Sequence, residues 1–138
     1  MALRTTFLFL LISGFAAAGA AQKCKGMDVK YENPIQYPTK ARATKLQGDV
    51  VVQIHIATDG TLKADIVSGP SVLAESAKRF AETWSITWPG DKPPTACDPT
   101  LHVSYKLKDH FNVKMRLPSH ILVEAPPIET NESPSAAH

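Results

Sequence analysis

A chain of 138 residues with 2 Cys and a formal net charge of +2 is long enough for one domain with its own core and too short for a multidomain enzyme. The small charge excludes the strong basic excess of a nucleic-acid-binding domain. A hydrophobic content of 43% excludes wholesale disorder.

The first twenty residues have the order of a secretory signal. Arg4 is the positive n-region, Phe7 to Phe15 is apolar, and Ala18-Gly19-Ala20 is a small-residue cleavage motif. The rival reading is an uncleaved anchor, but the apolar stretch fades into Ala and Gly short of the roughly 20 apolar residues that a spanning helix needs. Export places Cys24 and Cys97 in an oxidising compartment, where an even cysteine count without a C-x-x-C motif predicts a structural disulfide rather than two free thiols. Residues 21–36 are polar with scattered apolar positions and are expected to form an extended lead-in.

The core follows at 37–123. Tyr37 to Lys45 suits a short helix with Pro38 in its first turn, and Gly48 can take the left-handed position that closes it. In Asp49–Ala57, Val50, Val52, Ile54 and Ile56 share one face of a strand, and Gln53 and His55 share the other. Asp59-Gly60 then signals a hairpin in which both residues take positive φ. Leu62, Ala64 and Ile66 alternate in the return strand. Either Ser68 or Ser71 is the cap of the next helix, where Leu73, Ala77, Phe80, Ala81 and Trp84 form one apolar stripe. Trp84 and Trp88 either fill the core or make an aromatic surface for a peptide; ring size in so small a domain favours the core. Leu101, Val103, Tyr105 and Leu107 alternate in a strand over Thr100–Lys108, and the same parity resumes at Phe111, Val113, Met115 and Leu117. That continuation is either one long bent strand or a hairpin return, and Ile121-Leu122-Val123 adds a short strand. Residues 124–138 lack a period and contain Glu124, Glu129 and Glu132 but no Lys or Arg, so they are expected to form a disordered acidic tail. The economical fold is α+β, an antiparallel sheet of about three strands with two helices on one face.

Few residues suggest chemistry. His55 and His102 lie on the polar faces of their strands and would approach each other if those strands are neighbours. The competing reading, two solvated histidines without Cys, Asp or Glu at ligand spacing, is preferred. No phosphate loop and no nucleophile elbow occurs, so neither an enzymatic activity, nor a cofactor or metal, nor a small-molecule substrate is expected. Lys106, Lys108, Lys114 and Arg116 make the late strands basic, which either defends a sheet edge or frames one for an incoming peptide.

Tyr37-Pro-x-x-Ala41, Gly48-Asp-Val-Val-Val-Gln-Ile54, Asp59-Gly60, Ser68-Gly69 and the Leu73…Ala77…Trp84 helix together resemble the TonB C-terminal domain family over residues 37–107. The resemblance implies two helices against a small antiparallel sheet. It also implies a periplasmic module that grasps an extended segment of an outer-membrane receptor, or of another envelope protein, by strand addition in TonB-type transport. The receptor-pairing strand carried onto this chain is Thr100–Lys108, with Thr100, His102, Ser104, Lys106 and Lys108 at the docking edge. A cleaved signal would leave too short a spacer for a force-transmitting rod. The alternative is a stand-alone structural or assembly domain, a strand-exchanged homodimer without energy transduction. The two readings differ in whether the Thr100–Lys108 edge is free or paired.

Overall fold

The computed structural model describes residues 24, 26–90 and 93–129. The signal-type segment at 1–20 and the tail beyond Glu129 lie outside the described residues. The elements in chain order are β1 (Asp28–Lys30), α1 (Thr39–Ala43), β2 (Gly48–Ile56), β3 (Leu62–Ser68), α2 (Ser71–Glu82), β4 (Ser85–Thr87), β5 (Thr100–Leu107), β6 (Asn112–Arg116) and β7 (His120–Ala125). Among the described residues no helix is long and apolar enough to cross a membrane.

The fold is α+β with two helices, as expected, but the main sheet has five strands in the order β3-β2-β5-β7-β6 rather than about three. A separate two-stranded ladder joins β1 to β4, so part of the polar lead-in is a strand. β7 corrects two expectations together. It runs parallel to β5, pairing His102 with His120 through Leu107 with Ala125. It also runs antiparallel to β6, which places it between the two. Glu124 and Ala125 therefore belong to a strand and not to the tail. Burial explains the order. Ile121, Val123 and Ala125 are almost fully buried, whereas β6 carries exposed Lys114 and Arg116. The more apolar strand takes the interior and the charged one takes the edge.

One sheet face is packed. Val50, Val52, Ile54 and Ile56 of β2, Leu101, Val103 and Tyr105 of β5, and the inner side chains of β7 meet Leu73, Ala74, Ala77, Phe80 and Ala81 of α2. Each large apolar side chain so buried contributes roughly 1.5–3 kcal/mol. Trp84 closes the stripe as a core residue, edge-on to Phe80 at 5.9 Å, and Trp88 packs half-buried against the core.

Local backbone devices differ from the expectations in three places. Pro70, not Ser68 or Ser71, occupies the position before α2. Lys45, with φ 56°, takes the left-handed position after α1, while Gly48 begins β2. The reason for glycine there is contact: a Cβ on Gly48 would sit 3.1 Å from Pro70 Cγ. In the β2–β3 turn only Gly60 has positive φ. Asp59 Oδ1 instead accepts the Thr61 N–H at 2.9 Å, and the Ala57 N–H donates to the Thr61 carbonyl at 2.9 Å.

The Cys24–Cys97 disulfide is present. Tyr105 lies at the centre of the core, edge-on to Tyr37 at 5.3 Å. Its hydroxyl has no hydrogen-bond partner among the described residues, and the Ser76 hydroxyl donates instead to the Gln36 carbonyl at 3.1 Å. Burial pushes the Tyr105 ionisation from 10.0 up to about 12. The folded state thus requires the neutral phenol, so its stabilisation is complete below the unfolded value and is lost as pH rises through the folded one. Tyr105→Phe is expected to leave Tm unchanged or raised at neutral pH, because an orphan hydroxyl disappears. Thermal unfolding across the alkaline range is expected to show a flatter decline for the variant.

Candidate functional site: a sheet edge and an open sheet face

A strand-pairing module needs a free edge. The strand expected to supply it does not. β5 is paired with β2 on one side, from Gly48 with Tyr105 to Gln53 with Thr100, and with β7 on the other. Thr100, His102, Ser104 and Lys106 all lie on the outer face of this interior strand. Thr100 Oγ1 donates to Gln53 Oε1 at 3.1 Å, and Ser104 Oγ donates to Asp49 Oδ1 at 2.7 Å. Lys108, just past the strand, donates its backbone N–H to the Ala125 carbonyl at 2.9 Å. The expectation of an edge at Thr100–Lys108 is corrected on this pairing. The strand that covers it is β7, not the Phe111–Leu117 stretch.

Among the described residues the free edges of the main sheet are β3 and β6. β3 exposes Ile66 and Val67, but its register shifts opposite Val51 and Val52, and such a bulge twists an edge away from pairing. β6 keeps an unbroken register with β7 from Asn112 to Arg116. Beside it Phe111 is 69% exposed and Val113 40% exposed. Beneath them lies a groove of about 260 Å³ whose lining includes Ile35, Tyr37, Arg42, Phe111, Val113 and Ala125. Arg42 shapes this groove. Its guanidinium sits 4.8 Å from the centre of the Phe111 ring, and its Nε donates to the Pro126 carbonyl at 2.8 Å. The position of Arg42 follows from α1, and α1 is fixed in turn by the Tyr37 hydroxyl donating to the Leu46 carbonyl. β6 thus combines unpaired backbone with an apolar groove, the two features that strand addition uses for affinity and for side-chain selection.

The outer sheet face is polar. His55 does not approach His102, because the β5 residue opposite Val51 is His102 and His55 lies further along β2. His55 instead has acidic neighbours that the sequence pattern did not reveal: Asp98 Oδ1 at 2.8 Å and Asp65 Oδ2 at 3.3 Å. His102 stacks on His120, with ring centres 5.2 Å apart. Asn112 Nδ2 donates to Glu124 Oε1 at 2.9 Å and holds that carboxyl below the usual carboxylate range. Among the described residues no three His, Cys, Asp or Glu side chains group as a metal site would require.

Lys114 and Arg116 mark a sheet edge in the sequence pattern, but that pattern does not separate β6 from β5 as the free strand, and it does not reveal the histidine stack. The Ile121-Leu122-Val123 run was the available signal for that separation. For the stack there was none, since it depends on β7 lying beside β5. A family model described as Gram-negative bacterial TonB protein C-terminal matches residues 33–107, more than half of the chain. The match stops at Leu107, the last residue of β5, so β6 and β7 lie beyond it. Comparison with curated proteins gave no match, and comparison with solved structures gave none.

Proposed function

Because this chain belongs to the Gram-negative bacterial TonB protein C-terminal family, whose level of function is protein interaction in the cell envelope, we propose that it binds an extended segment of an envelope partner by strand addition at β6. The partner class is the exposed N-terminal segment of an outer-membrane receptor or a comparable extended envelope peptide. The module acts by binding and not by catalysis, on the periplasmic side, in keeping with its signal-type N-terminus and its disulfide.

The observation that carries this reading is the occupancy of β5. With β2 and β7 on its two sides, addition at the family's usual strand would require displacing β7, whose inner side chains are core. Addition at β6 displaces nothing. An incoming strand would place alternate side chains over the groove under Phe111 and Val113 and on the outer face beside Lys114 and Arg116.

The test uses proline pairs. Adjacent N–H groups in a strand point to opposite edges, so Val113→Pro and Lys114→Pro remove one donor that faces β7 and one that faces solvent. The solvent-facing variant is tolerated, because proline on an outer edge breaks no ladder bond. This variant, identified by an unchanged Tm, is expected to bind receptor N-terminal peptides at least about tenfold more weakly by fluorescence anisotropy. Unchanged affinity in the tolerated variant rejects addition at β6.

A further inference from the structure

A second site lies on the open sheet face, apart from the β6 edge, and does not depend on the reading above. Three strands meet there in register. His102, His120 and Arg116 form one cross-strand row. Ser104, Leu122 and Lys114 form the next. Residues two apart share a face, so Lys106 projects the same way. Between these side chains opens a groove of about 360 Å³ with Leu122 in its lining.

The charges around the groove are unbalanced. Among the described residues, the ion pairs are formed by His55 and His110, and Lys106, Lys114 and Arg116 take part in none of them. Two acidic groups border the groove, both with hydrogen-bond partners of their own. Asp49 on β2 accepts the Ser104 hydroxyl at 2.7 Å, and Glu124 on β7 is held by Asn112 at 2.9 Å with His110 at 3.9 Å. The two stacked imidazoles, whose ring planes lie within 16° of parallel, would repel if both were charged. Three fixed cations and two protonatable rings therefore surround one concave space, against the carboxylate of Glu124, which stands opposite Lys106 in the β5–β7 register and feels the charge of Lys114.

We propose that this groove binds a phosphomonoester. A single carboxylate brings one charge and two oxygens, which leaves most of these donors unused. A phosphomonoester brings a charge near −1.5 to −2 and three acceptor oxygens. Arg116 offers a planar fork for two of those oxygens, and Lys106 and Lys114 act as point charges. Leu122 gives the organic part of the ester an apolar floor. Protonation of His102 and His120 adds donors where the anion sits, and the anion offsets the repulsion between them. Imidazole charge grows as pH falls, whereas the phosphate loses its second charge below about pH 6. Binding therefore tightens on acidification until the phosphate loses that charge, which bounds an acidic window.

The experiment is a calorimetric and NMR titration of the full chain with phenyl phosphate, alongside sedimentation with phosphatidylcholine vesicles with and without phosphatidic acid. Phenyl phosphate is expected to bind about tenfold more tightly at the edge of the acidic window than at pH 8, and to shift the His102 and His120 signals. Lys114→Gln with Arg116→Gln, both on an exposed strand, is expected to weaken binding at least about tenfold at unchanged Tm. His102→Gln with His120→Gln is expected to abolish the pH dependence while leaving the binding seen at pH 8. Binding to phosphatidic acid vesicles that needs Lys114 and Arg116 assigns the ester to a lipid headgroup, and binding to phenyl phosphate alone assigns it to a soluble molecule. No binding of either probe, binding indifferent to the Lys114 and Arg116 changes, or tighter capture of a Glu-rich peptide overturns the proposal.

Discussion

Ser104→Pro is expected to unfold the domain rather than to trim an edge, at a cost of at least about 3 kcal/mol. Ser104 sits in the middle of β5, opposite Asp49 on β2 and Leu122 on β7. Its N–H belongs to one of those two ladders, and proline removes that donor from a position where water cannot replace it. The substitution also removes the Ser104–Asp49 hydrogen bond at 2.7 Å. Thermal and chemical denaturation measure the cost directly. The comparison that gives the result its meaning is the tolerated β6 variant, because the same substitution at a true edge leaves Tm unchanged. If Ser104→Pro retained native stability, the pairing of β7 with β5 would be wrong, and the docking edge would return to Thr100–Lys108.

That comparison also locates what pattern reading can and cannot reach. Val50 to Ile56 announces a strand with one buried face because the period of two is unambiguous, and all four inward residues are buried. The stripe from Leu73 to Trp84 announces α2 for the same reason at the helical period. The disulfide follows from cysteine count and compartment. Strand order is different in kind. Phe111, Val113 and Met115 continue the parity of β5, so a one-dimensional pattern joins them to it. The choice of β7 for the interior position depends on comparing the burial of Ile121, Val123 and Ala125 with that of a strand bearing Lys114 and Arg116. No local period encodes that competition. The same holds for Gly48, whose small size answers to Pro70, more than twenty residues away in sequence. It holds again for His102 and His120, which meet only because β7 runs parallel to β5.

The family match ends where this competition begins. Residues 33–107 are the part matched by the TonB C-terminal family model, and the β6–β7 hairpin adds to it an in-chain strand that pairs with β5. The addition has two consequences. It closes the strand implied by the resemblance, and it creates both the edge and the basic groove from which the two binding readings arise. Lys114 and Arg116 serve in each. On the edge they discourage pairing with arbitrary strands, and on the open face they supply charge.

Replacing Cys24 and Cys97 together by serine is expected to lower the stability of the domain by about 4 kcal/mol in the chain-entropy model. The bridge joins residues separated by 73 positions, and a tie over so long a loop removes more freedom from the unfolded chain than a local one does. The loss is not spread evenly through the native state. Cys97 is buried and exchanges two backbone hydrogen bonds with Ile56, at 2.9 and 3.1 Å, so its own position is held by the end of β2. Among the described residues Cys24 has no comparable backbone anchor: it packs half-buried against the core with Met27 and Val29, and the chain after it is held through β1, whose three residues pair with β4. Once the bridge is gone, a three-residue ladder and the half-buried packing of Met27 and Val29 must hold the N-terminal segment against its regained entropy, and short two-stranded ladders are marginal. Amide exchange in Asp28–Lys30 and Ser85–Thr87 is therefore expected to accelerate far more than exchange in β2, β5 and β7. A denaturation midpoint that falls while exchange rises uniformly would place the effect of the bridge in the whole core. A midpoint that does not fall would show that β1 and β4 hold the N-terminal segment without it.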